Sequence, residues 1–171
     1  MPVTLMQLLE ARDRRVRRQL EMLASHPGHT LVCITVNIPG SIKRTAESVD
    51  IGHEALRATM AALGTLAATD TAAVGDHDTG FEAFLLTAAT PNETKRICVG
   101  IEESHPLGRL FDIDVIRPDG TPVSREDQQG GMRKCLICDQ PARVCMRLRT
   151  HTINELLEVI NRMHHDFFHP V

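Results

Sequence analysis

Apolar residues repeat with two different periods along this chain, and the changes of period mark its elements. Near the start, Leu9, Val16, Leu20 and Leu23 recur at helical spacing behind Thr4-Leu5-Met6-Gln7, whose threonine and glutamine match the two halves of a capping box. A first helix is expected to run to about Ser25 and to stop before Pro27-Gly28. Leu31 to Ile38, LVCITVNI, is apolar and β-branched and reads as a buried strand. A second helix is expected from about Ala46 to Leu63, with Val49, Leu56, Met60 and Leu63 on one face and Gly64 as its stop. Thr65 to Gly80 is rich in small residues and shows no clear period; within it, Asp76-His77-Asp78 reads as a turn. FEAFLLTAA and TKRICVGIEE, on either side of a break at Pro-Asn-Glu, read as two strands joined by a short turn. A further strand follows HPLGR and closes at Pro118-Asp119-Gly120. Ser124 is placed to cap a short helix ending at Gly130-Gly131. Thr152 and Glu155 form another capping box, at the head of a last helix that turns Leu156, Leu157, Ile160 and Met163 inward. Strands in the middle and helices at both chain ends predict an α+β fold, a single domain over residues 1–171 with a central, mostly antiparallel sheet.

Composition narrows the function classes. Aromatics are 3% of the chain, without Trp or Tyr, which argues against a base-stacking surface and against a nucleic-acid partner. The net charge of −3 conceals basic stretches at ARDRRVRRQL and from Arg133 to Arg149, which suit phosphates or an acidic protein. The arginines of the first helix read as a solvated face. No stretch approaches the roughly 20 apolar residues of a membrane span, and Arg12 to Arg18 break any early apolar run. Five cysteines, three of them clustered, favour a reducing compartment over a disulfide framework, and a cytoplasmic location is expected.

Three segments carry candidate chemistry. In HPLGRLFDIDV, alternation along a strand sends Asp112 and Asp114 to one face and Phe111, Ile113 and Val115 to the other. Two carboxylates about 6–7 Å apart at their α-carbons suit a magnesium ion shared with a substrate's phosphates. Beside them Arg109 offers a planar donor fork, and His105 is a candidate proton acceptor near neutral pH. In NIPGSIKR, the turn at Asn37 to Gly40 with Lys43 and Arg44 is a candidate phosphate cradle. The third segment, residues 133–151, is rich in Cys, Arg and His. Its Cys135, Cys138, Cys145 and His151 supply four soft ligands, enough for a closed tetrahedral zinc site. Arg133, Arg147 and Arg149 beside them are candidates for holding a polyphosphate.

These three segments, in this order and in a chain of this length, resemble the apo-citrate lyase phosphoribosyl-dephospho-CoA transferases, also called citrate lyase holo-acyl-carrier-protein synthases. The resemblance implies transfer of phosphoribosyl-dephospho-CoA from its triphosphoribosyl donor to a serine of the citrate lyase acyl carrier protein (the gamma subunit), with release of pyrophosphate. It implies magnesium at Asp112 and Asp114, a phosphate clamp of Arg109, Lys43 and Arg44, and His105 taking the serine proton. Two other readings fit the same residues: a non-catalytic zinc module that binds a partner through residues 133–151, and a metal-dependent nucleotide or phosphoester hydrolase.

Overall fold

The computed structural model describes residues 1–66, 73–124 and 132–170. Their elements run α1 (Leu5–Ser25), β1 (Thr30–Val36), α2 (Ala46–Leu63), β2 (Ala73–His77), β3 (Gly80–Thr87), α3 (Pro91–Ser104), β4 (Phe111–Ile116), α4 (Ala142–Leu148) and α5 (Ile153–Phe168), with one-turn 3₁₀ helices at Gly64–Leu66 and Gly108–Leu110. The expected α+β architecture is borne out, with a sheet of order β2-β3-β1-β4 whose neighbours all pair antiparallel. The capping boxes at Thr4 and Thr152 both form. A helix capped by Ser124 lies outside the described residues.

Two segments take a different secondary structure from the one expected. Thr94 to Glu103 is not a strand but most of α3. The signal was in the connection: Thr90 caps the helix by accepting from the Glu93 N–H, and Pro91 sits in its first turn, where proline's missing donor costs nothing. Asp76 and His77 do not form a turn but end β2, in a hairpin with β3.

The sheet buries its two faces unequally. Val32, Ile34, Phe81, Ala83, Leu85, Phe111, Ile113 and Val115 form the main core with α2, α3 and Ile160 of α5. The helical face of α2 that reaches this core is Ile51, Ala55, Leu56 and Leu63, whereas Met60 is exposed. Gly52 lets α2 approach the sheet, because a methyl group there would stand 2.3 Å from the Phe81 ring. Leu31, Cys33, Phe84, Leu86 and Ile116 point to the other side and meet Met22 and Leu23 of α1 in a smaller cluster.

That second face departs from expectation most. The stripe Leu9, Val16 and Leu20 on α1 is exposed, and the side turned to the sheet carries buried Ala11 and Met22 together with Arg15, which reaches Glu82. The first helix therefore packs apolar Met22 and Leu23 on the sheet near its C-terminal end, while nearer its middle Arg15 meets a polar group of the strands.

Candidate active site and metal cluster

Strand register builds a polar row across the face below α1. Thr35 on β1 pairs with Glu82 on β3 and with Asp112 on β4, so the three side chains project together from adjacent strands. One step along, Cys33 stands between Phe84 and Asp114. Thr35 Oγ1 donates to Asp112 Oδ2 at 3.4 Å. Arg15 holds Glu82 Oε1 through Nε at 3.0 Å and Nη2 at 2.8 Å. Neither Glu82 nor Arg15 was singled out from the sequence. The available signals were a lone acid inside the apolar strand FEAFLLT and an arginine at helical spacing from Ala11 and Met22.

Asp112 and Asp114 do share a face, the one opposite Phe111, Ile113 and Val115. The Asp114 carboxyl is pushed above its ordinary range, first by loss of surrounding water and then by the charge of Asp112. Asp114 is still reached by solvent. Two neighbouring carboxylates that repel each other and are open to solvent are a pair whose repulsion a bound cation would offset.

The outer edge of β4 is held by charged groups. Ile113 N–H donates to Glu102 at 3.0 Å, and Lys95 Nζ donates to the Ile113 carbonyl at 3.0 Å. Both side chains come from α3 and are buried, so they satisfy the backbone groups that an edge strand leaves open. Arg133 binds Glu102 with one nitrogen and places Nη1 3.3 Å from Asp112.

His105 does not join the aspartates. It ends α3, where Nδ1 accepts from the Leu107 N–H at 3.0 Å, leaving Nε2 to donate to Glu54 at 2.9 Å. Its ring packs on Phe111 and Phe167, which places it with the main core on the opposite face of the sheet. Arg57 chiefly, with His105, holds the Glu54 carboxyl below its usual range. Both ring nitrogens are engaged away from the acid row, so His105 does not face the aspartates beside which it was expected to accept a proton.

The NIPGSIKR loop is also arranged differently from a phosphate cradle. Lys43 donates to the Ile38 carbonyl of its own loop. Arg44 is forked onto Asp76, with Nε 2.6 Å from Oδ1. The Asn37 N–H donates to the Leu110 carbonyl. Gly40 has φ +81°, and a side chain there would press on Ile153 at 3.1 Å. Behind the loop a cleft of about 330 Å³ is lined mainly by apolar groups, Ile38, Pro39, Ile153 and Leu157 among them. Arg109 turns its guanidinium to the carbonyls of Lys134 and Cys135. Gly108 beside it is required by close packing, since a methyl group would lie 2.5 Å from the Ile101 carbonyl oxygen.

The third segment does converge. The ligand atoms of Cys135, Cys138, Cys145 and His151 all lie within 4.8 Å of one another, a group able to hold a metal ion. Cys138 Sγ is 3.5 Å from Cys145 Sγ and 3.3 Å from His151 Nε2. Arg147 and Arg149 are exposed on α4 and the turn after it, and Arg149 adopts left-handed backbone at φ 51°.

No helix among the described residues is long and apolar enough to cross a membrane. Residues 3–167 match the family model described as apo-citrate lyase phosphoribosyl-dephospho-CoA transferase. The chain is 42% identical over 164 residues to the protein of that name from Escherichia coli O6:K15:H31 (strain 536 / UPEC), covering 94% of this chain and 86% of the relative. It is 39% identical over 169 residues to a probable one from Vibrio cholerae serotype O1 (strain M66-2), covering 96% and 93%. With Streptococcus pyogenes serotype M18 (strain MGAS8232) the identity is 34% over 174 residues, covering 97% and 88%. A match that runs from the start of α1 almost to the end of α5, taking in the acid row and the cysteine cluster alike, places this chain in the apo-citrate lyase phosphoribosyl-dephospho-CoA transferase family.

Proposed function

We propose that the chain transfers phosphoribosyl-dephospho-CoA from its triphosphoribosyl donor to a serine of the citrate lyase acyl carrier protein, working in the cytoplasm. The observation that carries this reading is the open pair Asp112 and Asp114, flanked by guanidinium groups, in a chain of this family. In the reaction the serine oxygen forms a bond to the phosphorus nearest the ribose, the bond from that phosphorus to the pyrophosphate oxygen breaks, and the serine gives up its proton.

Magnesium fits Asp112 and Asp114, because they are hard oxygen donors on one face and their mutual repulsion is what a dication offsets. When bound, it neutralises charge on the triphosphate. Arg133 stands beside Asp112 and Arg15 across the row, and in this reading their guanidinium groups meet phosphate oxygens as negative charge builds on the leaving pyrophosphate. Zinc is the ion we assign to Cys135, Cys138, Cys145 and His151, on the softness of three sulfurs and an imidazole. Exposed Arg12, Arg14, Arg17 and Arg18, beside the exposed apolar stripe of α1, give the acidic carrier a basic and apolar surface to dock on.

The test is mass spectrometry of the carrier after incubation with enzyme, donor and magnesium. A mass increase equal to phosphoribosyl-dephospho-CoA on one serine is expected. An unchanged carrier would overturn the proposal, and donor consumption without carrier modification would identify a hydrolase instead.

A further inference from the structure

The cysteine cluster and the acid row are separate in sequence and joined in space, and the joints are specific. Arg109, in the one-turn helix that leads into β4, binds the carbonyls of Lys134 and Cys135. Lys134 bridges to Pro141, and the Cys135 N–H donates to the Gln140 carbonyl at 2.7 Å. The Ala142 N–H donates to the Arg133 carbonyl at 2.8 Å. Residues 133–142 thus form a closed loop whose first residue, Arg133, reaches Glu102 and Asp112.

Besides these backbone bonds and the packing of Leu136 against the main core, it is the cluster that ties the loop to α4 and His151. Its helix α4 has only seven residues and no side-chain cap. On α4 the one buried side chain is Cys145, while Met146 and Leu148 are exposed. Such a segment buries few apolar side chains against the entropy of ordering it, and small units of this kind are commonly completed by a metal. The geometry suits one. Zinc–sulfur bonds of about 2.3 Å at the tetrahedral angle put sulfurs about 3.8 Å apart, and the Cys138 to Cys145 separation is 3.5 Å. With four protein ligands the coordination is complete, which is the pattern of a structural site and not a hydrolytic one.

We infer that this zinc centre is a positioning device: it fixes the loop so that Arg133 is held against Asp112 and Glu102, where the donor's phosphates are to lie. The inference rests on the transfer reading for its consequence and on the cluster alone for its metal. Loss of zinc leaves the sheet and its core in place and releases Arg133. A partner that orients a metal-bound carboxylate typically changes activity by about 10- to 100-fold, and that is the loss expected here.

The experiment combines metal analysis with a double-mutant cycle. Purified protein should contain one zinc per chain, and cobalt exchanged for it should show the intense visible bands of tetrahedral thiolate coordination. Cys138→Ser should lose the metal while keeping the far-ultraviolet circular dichroism of the sheet and long helices. Arg133→Gln should keep the metal. Each should lower kcat/KM for the donor by about 10- to 100-fold, and the double variant should be no slower than the worse single one. Losses that multiply would show that the two act independently and overturn the inference. So would a wild-type protein that binds neither zinc nor cobalt. Should Cys138→Ser fail to fold, removing zinc from the wild type and from Arg133→Gln with a chelator supplies the same cycle. One zinc per chain in a protein that leaves the carrier unmodified would refute the transfer reading and support the metal assignment.

Discussion

Glu102 joins fold and site, and its removal gives the sharpest test of how the edge of β4 is secured. The side chain is only 4% exposed, accepts the Ile113 N–H and binds Arg133. Glu102→Ala strands that N–H in a buried position, at about 1–3 kcal/mol. It also removes the carboxylate partner of a guanidinium that is one-third exposed, worth about 1 kcal/mol after solvent screening. Together the loss should be about 2–4 kcal/mol, or roughly 4–16 °C in Tm for a domain of this size. Glu102→Gln keeps an acceptor for Ile113 and loses only the charge, so it should cost about 1 kcal/mol. Urea unfolding followed by circular dichroism measures both. If Glu102→Ala unfolds within 0.5 kcal/mol of wild type, or if the glutamine variant is as unstable as the alanine one, the account of this edge is wrong.

Asp114→Asn should abolish most transfer activity yet stabilise the fold at neutral pH. Its folded-state carboxyl binds a proton more tightly than the ordinary value of 3.8, so ionisation destabilises the native state as pH rises above that value; the gain in Tm should vanish below about pH 3.8. A variant no more stable than wild type at pH 7 would contradict it. Asp112→Asn should slow transfer by several kcal/mol of barrier with little effect on folding, measured by carrier modification and thermal melts in parallel. Gly52→Ala should lose about 1–3 kcal/mol by pressing on Phe81, seen in urea unfolding. Burial pushes the Cys33 and Cys98 thiols up to about 12, so neither should be alkylated at pH 8 in the native protein, and both should react in denaturant, as peptide mass spectrometry will show.

The sequence by itself determined the elements whose signals are local. The capping boxes at Thr4 and Thr152, the strand LVCITV, the placing of two aspartates on one face of β4 and the grouping of three cysteines with a histidine able to hold a metal all follow from spacing along short segments. Even the misread α3 was announced by Thr90-Pro91; buried Lys95 and Glu102 disguised its helical face, because polar residues count against burial until their partners are known. Those partners are what only the tertiary structure decided. Register set Glu82 and Thr35 in the row with Asp112, and packing carried His105 to the opposite face of the sheet. Contacts with Asp76 and with the Ile38 carbonyl occupied the cations of the NIPGSIKR loop, while Arg133 was brought from a distant segment to the edge of β4. Charged side chains are long and find partners far away in sequence, so their roles emerge only when the chain has closed.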